Sequence, residues 1–201
     1  MKHSYISLLD MIKSLGESGV NKILSSFSSP KSPDTEEYIK DRAIEDAKRG
    51  ITQTHIVLAE RNNNWIFVGY FTVMPKTLFI EANIPTINTK KTILSLATFD
   101  SDRNGYKVPA TLIAQFSKNF SNNANRYISG DELMDICLGT IKDAQMLIGG
   151  CVVYLECENI YTLKILYKRN GFIRFTSRPH EEGEKRTGSG DKMIQMLRII
   201  E

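Results

Sequence analysis

Apolar residues recur along this chain at two periods, and the change of period divides it. Tyr5, Leu8, Leu9, Ile12 and Leu15 are spaced to share one helix face. Gly16 and Gly19 punctuate the run, and Val20, Ile23, Leu24 and Phe27 resume it in a second short helix. Ser28–Ser32, with Pro30 inside, reads as a turn. Ser32-Pro33 then predicts a helix start, a capping hydroxyl followed by proline at the first helical position. Asp34, Glu36 and Glu37 follow, where the helix dipole favours negative charge. Ile39, Ala43 and Ala47 form the apolar stripe, and Gly50 ends the helix after Lys48 and Arg49.

Beyond Gly50 the pattern turns β-like. Thr54–Ala59 and Trp65–Val73 flank Asn62-Asn63-Asn64, which predicts a hairpin that Leu78–Ile80 extends. Asn83–Thr92 reads mostly as loop, Ile93–Phe99 as a strand, Asp100–Lys107 as a turn and Pro109–Phe116 as a central strand. The polar stretch Lys118–Tyr127 follows. Ser129 and Glu132 have capping-box spacing. They open a helix carrying Met134, Cys137, Leu138, Ile141, Ala144 and Ile148, closed by Gly149-Gly150. A strand over Cys151–Leu155, a short helix over 160–170, and strands over Phe172–Thr176 and Met193–Ile200 complete the chain. Ser177–Gly190 is a charged loop. The order predicts an α/β (α+β) fold, with one central mixed twisted sheet of about six to seven strands flanked by helices. It implies a single domain over 1–201, with a helical N-terminal portion over 5–49 and a core over 108–172.

Composition narrows the class. The chain has 201 residues, 41% hydrophobic and 24% charged, which suits one globular domain with a substantial core. A net charge of +3 is too small to argue for nucleic acid by itself. Cys137, Cys151 and Cys157 are odd in number and lack zinc spacing, so they read as free thiols in a reducing compartment. No metal, no membrane span and no signal peptide are expected, and the reading is a cytoplasmic protein.

The chemistry concentrates between residues 108 and 172. A strand feeds a polar loop, and the loop feeds a capped helix whose free amides and dipole suit an anion such as a pyrophosphate. Val108–Phe116, Cys151–Glu156, and Leu166-Tyr167 followed by Asn170-Gly171-Phe172 resemble the cofactor-binding segment of the GCN5-related N-acetyltransferases. Asp34–Ala47, Gly50–Thr54 and Val68–Phe71 resemble the branch of that family that includes toxins acetylating aminoacyl-tRNA.

The resemblance implies acetyl transfer from acetyl-coenzyme A to an amine. Tyr167 would be the proton donor to the departing thiolate. Main-chain groups at Phe116 and Ser117 would pair with the pantetheine arm. Lys118, Arg126, Ser129, Gly130 and Asp131 would meet the pyrophosphate, and Asn159, near the start of the last helix, would also bind the cofactor. Ile128 stands where the family usually has a glycine, and Arg126 is one residue from the usual basic position. Glu156 reads as structural rather than as a base, and His3, His55 and His180 as structural or surface residues. Lys90-Lys91 and Lys185-Arg186 read as solvated charges. The acceptor stays open among an aminoacyl-tRNA α-amine, a protein lysine or N-terminus, and a polyamine. A tRNA, an antitoxin and a second copy of the chain are open partners. A non-catalytic, acetyltransferase-like binding module is the alternative.

Overall fold

The computed structural model describes residues 1–82, 90–181 and 192–200. The elements run β1 (His3–Ser7), α1 (Leu8–Ser25), α2 (Pro33–Glu37), a π-helical turn (Tyr38–Arg42), α3 (Ala43–Lys48), β2 (Gln53–Arg61) and β3 (Asn64–Glu81). There follow α4 (Lys90–Leu96), β4 (Thr98–Asp100), β5 (Gly105–Lys118), a 3-10 segment (Ser121–Tyr127), α5 (Gly130–Ile148), β6 (Val152–Cys157), α6 (Tyr161–Arg169), β7 (Ile173–Pro179) and β8 (Lys192–Ile199). The strands form one eight-stranded, mostly antiparallel sheet ordered β1-β2-β3-β5-β6-β8-β7, with β4 on β5. The described residues fall into two compact units. The first holds Met1–Met74 and Ile113–Leu138, and the second holds Pro75–Leu112, Gly139–Glu181 and β8.

In the first unit β1 pairs antiparallel with β2 from His3↔Ala59 to Ser7↔His55. Tyr5, expected on a helix, is therefore a strand residue and 43% exposed. The helix starts only at Leu8, because the Ser7 hydroxyl caps it by accepting from the Asp10 amide. Gly16 breaks α1 with φ 72° and ψ 160°, so the predicted punctuation is a real kink. The Asn62-Asn63 turn, with φ 50° and 60°, joins β2 to β3.

Ile56 and Tyr70 are register partners and pack on one face with Leu8, Leu24, Phe27 and Ile39. Gly69 points to the other face, where an added Cβ would meet Leu133 of α5 at 3.2 Å and the Ser117 carbonyl at 2.9 Å. Helices thus cover both faces of this part of the sheet. The expected Ser32 side-chain cap is absent. The Thr35 and Glu36 amides reach the Ser32 carbonyl instead. The π-helical turn adds one residue to a turn, so consecutive Tyr38 and Ile39 both face inward. Their polar neighbours are satisfied: Tyr38 Oη lies 2.8 Å from Thr52 Oγ1, Thr54 and Thr72 share a hydrogen bond of 2.8 Å, and Tyr70 donates to the Thr35 carbonyl.

In the second unit β4 pairs antiparallel with β5, β6 with β8, and β7 with β8. The strand expected over 93–99 is instead the end of α4 followed by the three-residue β4. Short apolar runs fit either state, and here the run is split at Ala97. β6 is buried nearly throughout. Phe172 is 1% exposed and follows Gly171 at φ 78°, the left-handed residue that ends α6. The last turn of α5 departs from its expected stripe: Met146, Leu147 and Ile148 are 80%, 86% and 83% exposed. Lys90 and Lys91 open α4. Lys185-Arg186 and most of the predicted loop that contains them lie outside the described residues.

Candidate active site

The first unit contains the end of β5 and the start of α5. Odd-numbered residues of this segment continue the inward alternation past the end of the apolar run, so Ser117 and Asn119 are both buried. The Ser117 hydroxyl lies 2.9 Å from that of Ser29. Lys118 alternates to the other side, half-buried, and its Nζ donates to the carbonyls of Asn125 (2.8 Å) and Ile128 (2.9 Å). Burial holds its pKa below the usual lysine value, against the opposing pull of Glu132. Phe116 is half-buried and Arg126 exposed.

Asn119 was not singled out by sequence reasoning, yet it ties this junction together. Its Nδ2 donates to the Phe67 carbonyl (2.9 Å), and its Oδ1 accepts from the Ser28 and Ser121 amides (3.1 and 3.0 Å). Its own amide donates to the Val68 carbonyl at 2.8 Å. The available sign was a polar residue on the inward side of a strand end. His3 is structural, as expected: its Nε2 lies 2.8 Å from the Tyr127 carbonyl and fastens the N-terminus to the loop.

The capping box forms as the spacing predicts. The Ser129 amide donates to Glu132 Oε2 (2.7 Å), and the Glu132 amide donates to Ser129 Oγ (3.1 Å). The Ser129 amide, and then the Ser129 hydroxyl, hold the Glu132 carboxyl below its usual pKa. The Ser129 amide is therefore already engaged by a carboxylate of this chain. Gly130 supplies the first amide of a 19-residue helix with no side chain over it, and Asp131 is half-buried beside it. The donor set fits an anion. The helix N-terminus and Arg126 favour negative charge, and Glu132 already lies on the Ser129 amide.

The second unit holds Tyr167 in the last full turn of α6, 6% exposed, its ring edge-on to Phe172 at 6.1 Å. Asn159 is exposed just before α6 and accepts from Lys164 Nζ at 2.7 Å. Glu156 is clamped: Arg178 Nε donates to its Oε2 (2.7 Å) and Gln195 Nε2 to its Oε1 (2.6 Å). A carboxylate held at both oxygens is a poor general base. It also helps burial to raise the pKa of neighbouring Tyr154, while Arg178 works the other way. Cys157 is pushed up to about 11 by burial, so its thiol is unreactive at neutral pH. Among the described residues no group of three or more His, Cys, Asp and Glu could hold a metal ion. None of the described helices is long and apolar enough to cross a membrane.

No family model matches the sequence, and no curated protein matches it. Solved structures do match in fold. AtaT complexed with acetyl-methionyl-tRNAfMet superposes with a TM-score of 0.60 at 13% identity, over 96% of this chain and 94% of that one. A tyrosine-to-phenylalanine variant of KacT gives 0.62 at 12% identity, over 98% and 95%. A tyrosine-to-phenylalanine AtaT toxin bound to the C-terminus of the antitoxin AtaR and acetyl-CoA gives 0.59 at 12% identity, over 99% and 94%. At such identities the likeness establishes the fold. It is the fold of the acetyltransferase toxins, as the resemblance of residues 108–172 implies.

Proposed function

We propose that the chain is an N-acetyltransferase that uses acetyl-CoA and acts on the α-amine of an aminoacyl-tRNA. The observation that carries this reading is the end-to-end fold likeness to AtaT, whose complexes hold acetyl-CoA in one case and acetyl-methionyl-tRNAfMet in another. The antitoxin in the AtaT complex, and the DNA in a KacTA complex of TM-score 0.55, support a toxin–antitoxin setting.

Gly130 and Asp131 would give backbone amides to the pyrophosphate, with Arg126 adding charge. Phe116 and Ser117 would align the pantetheine arm through the main chain. When bound, acetyl-CoA supplies the activated acyl group. Tyr167 holds the proton that the departing sulfur needs, since a phenolate and an alkyl thiolate are of similar basicity. β5 contains no acidic residue, and Glu156 is tied to Arg178 and Gln195. Neither of these supplies a base, which supports loss of the acceptor amine's proton through water or by a low pKa of the acceptor itself. Asn159, exposed and bonded to Lys164, would orient the start of α6.

Tyr167→Phe tests the assignment. Release of free thiol from acetyl-CoA in the presence of charged tRNA should fall by about 10²–10⁴-fold, with CoA affinity by calorimetry nearly kept. Unchanged turnover would remove Tyr167 from this role. One observation favours a second reading, a non-catalytic module: the Glu132 carboxylate already occupies the Ser129 amide. Wild-type protein that binds no CoA at micromolar concentration would favour that reading.

A further inference from the structure

The loop between β5 and α5 contains no glycine from Ser121 to Ser129, yet it turns sharply, with Asn122 and Asn123 at φ 49° and 58°. Its path is therefore not a product of free backbone rotation. The Asn125 and Ile128 carbonyls both point inward, and both meet the Lys118 ammonium. Across a trans peptide, the carbonyl and the next amide proton point in opposite directions. Fixing these two carbonyls on one cation turns the Arg126 and Ser129 amide protons to the other side. The Ser129 amide indeed meets an anion there, the Glu132 carboxylate. Ile128 is extended at φ −147° and ψ 137°, and leads directly into the first amides of α5.

We infer that Lys118 is a positioning residue: it braces residues 125–128 with the Asn125 and Ile128 carbonyls inward, and so fixes the path by which the chain enters α5, whose Gly130 and Asp131 amides the acetyl-CoA reading assigns to a phosphate group. A side-chain cation here does what glycines do in a loop that wraps an anion by backbone freedom alone. The identity of the anion rests on the acetyl-CoA reading, whereas the brace itself does not. Burial of the ammonium is consistent with its use against carbonyls within the fold, where charge-assisted bonds are strongest.

Two readouts test this. In the free protein, Lys118→Met should speed amide hydrogen exchange over residues 122–133 roughly tenfold or more, because the opening of the loop becomes easier. CoA affinity should fall roughly tenfold, while cleavage of S-acetyl-pantetheine, which lacks the pyrophosphate, keeps its KM. Unchanged exchange in the free variant together with weaker CoA binding would overturn the inference, since Lys118 would then touch the phosphate directly. Equal losses with both acyl donors would overturn it as well. If the wild type binds no CoA, the acetyl-CoA reading fails, and the exchange comparison still decides the brace. Lys118→Gln, a neutral donor, carries the same comparison where Lys118→Met does not fold.

Discussion

Asn119 is 3% exposed, and three backbone groups from three segments depend on its amide side chain. Removing that side chain leaves the Phe67 carbonyl and the Ser28 and Ser121 amides without their partner. A buried group left unsatisfied costs about 1–3 kcal/mol. Asn119→Ala should therefore lower unfolding stability by about 2–4 kcal/mol in a urea titration, more than one ordinary hydrogen bond explains. Asn119→Asp is the sharper comparison, because it keeps the shape but loses the donor to Phe67. A loss below about 0.5 kcal/mol for both variants would contradict this role. Lys118 and Asn119 are neighbours with opposite duties. One faces the loop ahead of it, and the other faces the strand and turn behind it.

At the scale of elements, close approach decides what the sequence allows. Gly105 opens β5 at a position where an added Cβ would lie 2.3 Å from the Phe79 ring and 2.7 Å from the Ile80 carbonyl. Neither a ring held under Arg103 nor a strand carbonyl yields easily. Gly105→Ala should destabilise the fold by about 1–3 kcal/mol, readable as a lower Tm. Tolerance of alanine there would mean that β3 and β5 separate more easily than their packing suggests.

Most elements were legible in the sequence because their periods were long and their ends were punctuated. The capping box at Ser129, the asparagine turn at Asn62-Asn63 and the Asn170-Gly171 stop are local chemistry. Three features were not legible. β1 hid inside an apparent helix because Tyr5 shares helical spacing with Leu8. α4 hid inside an apolar run too short to discriminate. Ile148 looked like the last core position of α5, although it faces water together with Met146 and Leu147. Of the candidate site, the order of elements and the capping box at Ser129 and Glu132 could be read from the sequence. The engagements of Asn119 and Glu156 could not, since they depend on partners distant in sequence, and that of Lys118 could not, since it depends on the path of an irregular loop.

For the molecule as a whole, one histidine sets a pH window. His55 stacks on Phe71 with ring centroids 5.0 Å apart, and Tyr5 meets it edge-on. Burial lowers its pKa from 6.5 to about 4, with Asp10 opposing. The unfolded chain then binds more protons than the folded one between those values. Stability is complete above pH 6.5 and falls as the pH drops toward 4, by about 3 kcal/mol at most. The carboxyls of Asp10, Glu36 and Asp100 are lowered by their partners, so their contributions are lost at more acidic pH. Unfolding curves for the wild type and His55→Phe should differ chiefly in slope within this window. Parallel curves would show that the ring titrates normally.

The first compact unit is discontinuous, and this bears on how the chain is made. Its opening 74 residues must leave the ribosome well before Ile113–Leu138, the next described part of it. Until then the edge of β3 that will face β5 is open, Phe67 and Ser28 lack the ties supplied by Asn119, and His3 lacks its partner at Tyr127. An unpaired strand edge on a nascent chain is a site of mispairing. The interval between synthesis of Met74 and Leu138 is therefore when this protein is most dependent on chaperone protection, and slowed translation there should reduce its soluble yield more than the same delay after residue 150.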